Sequence, residues 1–219
     1  MKYFLDTEFI EDGKTIDLIS IGIICEDGRE FYGINWNCNF ELANNWVKKN
    51  VLAQLPFRPC DLPSLTHGEP INNWYNRTDL AKEVAIFLGC DYLGLGKKPA
   101  FALRNDAPKP EFWGYYADYD WVVFCQMFGT MMELPKGFPM YCRDIKQWCD
   151  QLDNPKLPEQ KKGEHNAIAD ARWNKATWEY LRKLEEDMAF ARQPISFKPG
   201  KIVPVLDDVA VQERDDDDE

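Results

Sequence analysis

The N-terminal part of the chain carries three β-strand patterns in a row, which constrains the fold more than any other stretch. Residues 2–8 form a short apolar run that ends in acids, and residues 16–25 are rich in β-branched side chains. Asp27-Gly28 is typical of a tight hairpin turn, after which residues 29–36 return as a third strand. The three strands therefore predict an antiparallel meander.

The rest of the chain alternates helical patterns with shorter strand patterns. We predict helices over 41–53, from a cap at Thr78, from Asp120, from a cap at Asp144 to about 151, and over 167–187. Further strands are predicted at 99–104 and 111–116, and the Pro- and Asn-rich segment 54–76 is predicted to be a surface excursion. Together these patterns predict one α/β domain with a mixed central sheet flanked by helices.

The acidic residues are concentrated at the C-terminus. Segment 194–219 holds eight acids and three bases, so it supplies −5 of the net charge of −11 and leaves −6 for the body. We therefore expect a domain over 1–190 and an acidic, Pro-containing tail over 191–219. An acidic body argues against non-specific binding of nucleic acid through a broad basic surface. It still allows local action where metal ions bridge a phosphate.

The cysteines point to a reducing environment. Their number is odd, no Cys-x-x-Cys pair exists, and most lie in apolar runs; they are residues 25, 38, 60, 90, 125, 142 and 149. We predict reduced core thiols and a cytoplasmic location. The first ten residues are predicted to be a strand rather than a signal peptide. No apolar run approaches the roughly 20 residues that span a membrane.

Two acids at the end of the first strand are candidate metal ligands. Asp6 and Glu8 are two residues apart, so both side chains point to one face of the strand, ~6–7 Å apart. Carboxylate oxygens are hard ligands that suit Mg²⁺ or Mn²⁺. The alternative is a pair of solvent-facing acids at a strand end.

A third acid begins an apolar helical stripe. Offsets of 0, 3, 4, 7, 8 and 11 place these residues on one helical face: Asp120, Val123, Phe124, Met127, Phe128 and Met131. An acid on that face has to be capped, paired or bound to metal, because an unpaired buried carboxylate is costly. A helix N-cap or dipole contact is the alternative for Asp120. Asp118 lies off the stripe and is the weaker candidate.

His165 and Asp170 complete the candidate set. Five residues correspond to about 140° of rotation on one helix, so the two would diverge there. If His165 lies in the turn before the helix, both can face one cleft. Asp170 then starts an inward stripe that continues with Trp173, Thr177, Leu181 and Leu184. Histidine can accept a proton from water near neutral pH; the alternative is a surface histidine.

The order of these motifs resembles a known superfamily. The motifs are Asp6-Thr7-Glu8-Phe9, Tyr116-Ala117-Asp118-Tyr119-Asp120 and His165-Asn166-Ala167-Ile168-Ala169-Asp170-Ala171. This pattern is similar to the DEDDh superfamily of 3′→5′ exonucleases, over residues 1 to about 187. The resemblance implies a ribonuclease-H-like fold. It also implies metal ligation by Asp6, Glu8, Asp120 and Asp170, with His165 as the general base.

A narrower resemblance points to one branch. Asp-Thr-Glu-Phe-Ile-Glu-Asp-Gly, Asp-Gly-Arg-Glu-Phe-Tyr, the stretch from Trp46 to Pro56, Phe-Trp-Gly-Tyr-Tyr-Ala-Asp-Tyr-Asp and Tyr-Cys-Arg-Asp-Ile-Lys-Gln carry it. They resemble the small exoribonuclease family first described in mycobacteria and also found in phages. That family implies RNA as substrate and a homodimer. The acidic tail departs from it.

The resemblance implies hydrolysis assisted by two divalent ions, Mg²⁺ or Mn²⁺, with release of nucleoside 5′-monophosphates. Thr7 and Phe9 are the expected substrate neighbours. Phe9 stacks on a terminal base or, as an alternative, belongs to the core. A DNA exonuclease of the proofreading or repair type has the same chemistry, because only recognition of the 2′-hydroxyl separates the two. A non-catalytic binding module on this fold predicts a missing ligand, whereas all five positions are filled.

Overall fold

The computed structural model describes residues 1–58, 73–94, 100–160 and 162–191. In these ranges the strands are β1 (Lys2–Glu11), β2 (Ile16–Cys25), β3 (Glu30–Asn35), β4 (Trp74–Tyr75), β5 (Cys90–Tyr92), β6 (Phe101–Leu103), β7 (Glu111–Gly114) and β8 (Arg143–Asp144). The helices are α1 (Asn45–Asn50), α2 (Arg77–Phe87), α3 (Asp118–Phe128), α4 (Ile145–Gln151) and α5 (Ala167–Ala191).

Six strands form a mixed sheet in the order β4-β3-β2-β1-β7-β8. The first three strands are antiparallel neighbours, whereas β4, β7 and β8 join in parallel. The hairpin between β2 and β3 turns at Gly28, whose φ of +92° is easily reached only without a side chain. The predicted meander and the α/β class are confirmed, and the architecture is consistent with a ribonuclease-H-like fold.

The two faces of β1 pack against different helices. Leu5 faces the main core, in a cluster that also contains Leu80 of α2 and Phe124 of α3. Phe4 faces the opposite side, in a cluster with Ala171 of α5. Since side chains alternate along a strand, Asp6 and Glu8 share the α5 side with Phe4. The candidate acids therefore point away from the main core and toward α5.

Two contacts seat α5 on the sheet beside these acids. Gly22 of β2 pairs with Asp6 of β1, and a Cβ atom on Gly22 would lie 2.2 Å from the carbonyl oxygen of Ala167. The first turn of α5 can therefore lie directly on the backbone of β2. Further along α5, the buried Asn174 side chain donates a hydrogen bond to the carbonyl of Leu5, 2.9 Å away. These contacts align α5 with the end of β1 that carries the acids.

Several elements differ from the sequence-based expectation. The predicted helix over 41–53 is divided into a 3-10 turn at Phe40–Leu42, α1 and a second 3-10 turn at Leu52–Gln54. The Asn44 side chain accepts a hydrogen bond from the Val47 amide and so starts α1. Helix α2 is capped by Asn76, so the cap predicted at Thr78 was wrong by two residues.

Other expectations are confirmed or lie outside the described residues. The cap at Asp144 is confirmed, and the long C-terminal helix begins at residue 167 as predicted. The short strands β4, β5 and β8 were missed, because segments of two or three residues carry no periodicity. Most of the predicted excursion 54–76 and nearly all of the tail 191–219 lie outside the described residues. No helix among the described residues is long and apolar enough to cross a membrane.

The described cysteines are free thiols. Five are fully buried and Cys142 is half-buried, whereas Cys60 lies outside the described residues. The burial of five of the six described cysteines confirms the predicted core positions.

Candidate active site

Three of the predicted carboxylates meet where the C-terminal half of β1 faces the first turn of α5. One carboxylate oxygen from each of Asp6, Glu8 and Asp170 lies within 4.8 Å of the others. The strand periodicity places the first two side chains on one face, and the seating of α5 brings the third to them. Three hard oxygen ligands at this separation suit a divalent cation such as Mg²⁺ or Mn²⁺.

Asp120 lies beside this cluster but outside the group of mutually close oxygens. It is the third residue of α3 and is only 7% exposed. The residue before the helix is Ala117, so Asp120 does not act as the N-cap. Asp118 is exposed. The structure therefore favours the interpretation that places Asp120, and not Asp118, at the site.

The buried Thr7 fixes the Asp120 carboxylate. Its backbone amide and its hydroxyl both donate to Oδ1 of Asp120, at 2.8 and 2.6 Å. Thr7 points to the face of β1 opposite Asp6 and Glu8, and both of its donors are used. This geometry favours a role for Thr7 in holding Asp120 over the predicted contact with substrate.

His165 lies in the turn that precedes α5, with a backbone φ of +64°. This placement removes the divergence expected on a continuous helix, because α5 begins only at Ala167. His165 lines a cavity of about 300 Å³ whose other lining residues are Asp6, Tyr115, Gln160, Glu164, Asp170, Trp173 and Asn174. The histidine and two of the carboxylates therefore share one solvent-accessible space.

Phe9 has features of both alternatives, a core residue and an aromatic ring available for stacking. It is half-buried and packs partly against the main core, and it also stacks on the exposed Tyr119 ring with centroids 5.8 Å apart. The register shifts between Glu8 and Phe9 because β2 carries one extra residue, Ile19, so Phe9 keeps the core-facing side that the alternation of β1 gives it. The Phe9–Tyr119 pair forms an aromatic surface beside the carboxylates.

Sequence reasoning missed two polar residues at the site. The Gln160 side chain donates to Oδ1 of Asp170, and the Asn174 amide ties α5 to β1. Asn174 follows Asp170 by about one helical turn and therefore lies on the same inward face of α5. This spacing could have indicated from the sequence that the Asn174 side chain points toward the site. Gln160 lies in an irregular segment, where no periodicity indicates its direction.

The electrostatics of the cluster are dominated by crowded negative charge. Burial, followed by the charges of Asp120, Asp170 and Glu8, raises the pKa of Asp6 well above its usual value. Burial, followed by the charges of Asp170 and Asp120, raises the pKa of Glu8 to about 8. Burial also raises the pKa of Asp120, although the hydrogen bonds from Thr7 oppose this. Carboxylates this close favour protonation or a bound cation, so the donor set fits a divalent metal.

Comparison with known proteins extends this picture. The family model of the 3′-5′ exoribonuclease Rv2179c-like domain matches residues 1–182. The chain is 34% identical over 172 residues to the 3′-5′ exoribonuclease Rv2179c of Mycobacterium tuberculosis strain ATCC 25618 / H37Rv. The 3′-5′ exoribonuclease MT2234.1 of strain CDC 1551 / Oshkosh has the same identity. Each alignment covers 78% of this chain and 88% of the relative.

Proposed function

The chain belongs to the Rv2179c-like 3′-5′ exoribonuclease domain family, and we propose that it is a metal-dependent 3′→5′ exoribonuclease that releases nucleoside 5′-monophosphates. One observation carries the proposal. The oxygens of Asp6, Glu8 and Asp170 converge within 4.8 Å at a cavity that is also lined by His165. Metal ligands and a proton acceptor therefore adjoin the same space.

The carboxylates would hold the metal. Asp6, Glu8 and Asp170 supply the central oxygens, and Asp120 approaches from α3 with Oδ1 fixed by Thr7, which leaves Oδ2 for a ligand role. We propose two ions, Mg²⁺ or Mn²⁺, because a fourth carboxylate lies next to the cluster of three. Such ions polarise the scissile phosphate and favour deprotonation of the attacking water.

The protein's own residues then orient and move the proton. His165 accepts the proton of the attacking water at its imidazole nitrogen, from its position at the rim of the carboxylate cluster. The phosphorus–oxygen bond to the 3′ oxygen of the preceding nucleotide breaks as the water oxygen attacks. The terminal nucleotide leaves with the phosphate on its 5′ oxygen. Phe9, with Tyr119 stacked on it, offers a ring surface for the terminal base.

We assign RNA rather than DNA as the substrate because the two relatives are named as exoribonucleases. The alternative of a DNA exonuclease uses the same carboxylates and histidine. The non-catalytic alternative is disfavoured, because it predicts a missing ligand and the three clustered acids are all present. We also propose a cytoplasmic location, in keeping with the free thiols of the described cysteines.

The test is a product ladder on end-labelled single-stranded RNA and on DNA of equal sequence, with Mg²⁺, Mn²⁺ or chelator. We expect stepwise shortening of RNA from the 3′ end, loss of activity with chelator, and loss of activity in Asp6→Ala. Glu185→Gln, which alters an exposed acid of α5, is the matched control and should retain activity. Faster cleavage of DNA than of RNA would contradict the substrate assignment, and an active Asp6→Ala variant would contradict the site.

A further inference from the structure

His165 adopts a backbone conformation that its neighbours have to stabilise. Its φ of +64° lies in the left-handed region, which a residue with a Cβ atom rarely adopts. The residue belongs to neither a helix nor a strand, so no backbone ladder fixes it. Strained positions of this kind persist where surrounding contacts over-determine them. Two such contacts come from residues more than 100 positions earlier in the chain.

The first contact is made by the Trp46 ring. Its centroid lies 4.7 Å from that of the His165 imidazole, at an interplanar angle of 74°. Such an edge-to-face arrangement is a favourable geometry for aromatic pairs. Trp46 is 53% exposed, and among the described residues it is not part of the lining of the carboxylate cavity. The indole thus contacts the imidazole without itself lining that space.

The second contact is made by the Gln54 side chain. Its amide nitrogen donates to the carbonyl of Glu164 at 2.8 Å, and the carbonyl of His165 lies 3.4 Å from the same nitrogen. The same amide also donates to Asn50, at the end of α1. Gln54 therefore connects residues 45–54, which we call the α1 segment, to the backbone of the turn that contains His165.

The α1 segment is itself anchored to the sheet. Val47 and Val51 are buried in a cluster with Ile10 of β1 and Ile19 of β2. Ile10 lies two residues after Glu8 on the strand that carries two of the carboxylates. Trp46, which contacts the imidazole of His165, is the chain neighbour of Val47, and Val47 lies in the buried cluster that reaches β1.

We propose that Trp46 and Gln54 are positioning residues that hold the His165 imidazole and its strained turn in place for proton transfer. This inference rests on the proposed role of His165 in RNA hydrolysis. Trp46 fixes the orientation of the ring, and Gln54 fixes the backbone from which the ring projects. Neither residue takes part in the chemistry.

The structural half of the test does not depend on activity. The chain has two histidines, so a ¹³C–¹H correlation spectrum shows few imidazole signals, and a His67→Gln variant assigns them. The ring current of a nearby indole displaces the ring-proton signals of His165. We expect Trp46→Ala to move these signals toward their positions in an unfolded peptide, and Trp46→Phe to retain part of the displacement. Unchanged signals in Trp46→Ala would overturn the proposal.

The kinetic half separates positioning from substrate binding. Trp46→Ala and the nearly isosteric Gln54→Met should each lower kcat by about 10–100-fold, because small misplacements of a reacting group are costly. KM for RNA should stay within about threefold of the wild-type value. Trp46→Phe should restore most of kcat. Phe190→Ala removes an even more exposed ring at the far end of α5 and should leave both constants unchanged.

A change in KM in place of a change in kcat would have a different explanation. A raised KM with unchanged kcat in Trp46→Ala would identify Trp46 as a stacking surface for an RNA base and would overturn the positioning role. A wild-type protein without RNase activity would overturn the proposed function and leave the spectroscopic result standing. Circular dichroism of each variant verifies that the fold is retained.

Discussion

Replacing Glu8 with glutamine should stabilise the metal-free protein while removing its activity. In the absence of metal, burial and the charges of Asp170 and Asp120 raise the pKa of Glu8 from 4.5 to about 8. Between these two values the folded protein holds a proton that the unfolded chain has released. Stability is therefore fully present below the unfolded-state pKa and is lost as pH rises toward 8.

The magnitude follows from the shift in the pKa of Glu8. One pKa unit corresponds to about 1.4 kcal/mol, so the interval from 4.5 to pH 7 amounts to about 3.5 kcal/mol of lost stability. Glu8 is only half-buried, and solvent screening reduces this to roughly 2 kcal/mol. Because glutamine stays neutral, Glu8→Gln should regain about 2 kcal/mol at pH 7 and flatten the pH dependence.

The assay is urea unfolding followed by tryptophan fluorescence, at pH values from 5 to 8 in chelator and again with Mg²⁺. The free energy of unfolding of the wild-type protein should fall with pH in chelator and recover with Mg²⁺ at pH 8, with less recovery in Glu8→Gln. Glu185→Gln, an exposed acid on α5, should follow the wild-type curve. A wild-type curve that is flat over this range, or a Glu8→Gln variant that is less stable at pH 8, would refute the electrostatic argument.

Three further substitutions test how the site is built. Asp120→Asn should abolish RNA cleavage in the product-ladder assay while Asp118→Asn retains it, and equal activities would contradict the assignment of the α3 acid. Thr7→Val keeps the side-chain shape but removes the 2.6 Å hydrogen bond to Asp120, so it should weaken Mn²⁺ binding in calorimetry by about 10-fold or more. Gly22→Ala places a Cβ atom 2.2 Å from the carbonyl oxygen of Ala167, so thermal unfolding should show a loss of about 1–3 kcal/mol together with lower turnover. An unchanged melting temperature would show that α5 can move away from β2 without loss of stability.

The parts of the site that follow a regular period were predictable from the sequence. Strand alternation placed Asp6 and Glu8 on one face, and the helical stripe separated Asp120 from Asp118. The hairpin at Asp27-Gly28 established the meander around them. In each case the residues that decide the geometry are neighbours in the chain, so local rules were sufficient.

Contacts between distant segments were not predictable in the same way. The left-handed turn at His165 has no glycine to mark it, and its contacts with Trp46 and Gln54 depend on where α1 packs. Gln160 reaches Asp170 from an irregular segment. Tertiary packing determines all of these directions, and a single sequence does not contain that information in periodic form.

The alternation along β1 also limits how this strand can change in evolution. Leu5 and Thr7 point toward the main core side, and Asp6 and Glu8 point toward α5. Deleting or inserting one residue before Leu5 would exchange the two sets, with the acids turned into an apolar core and the leucine toward α5. A single substitution in β1 therefore affects one of the two sets, whereas a change in the length of the strand displaces the core residues and the candidate metal ligands in one event.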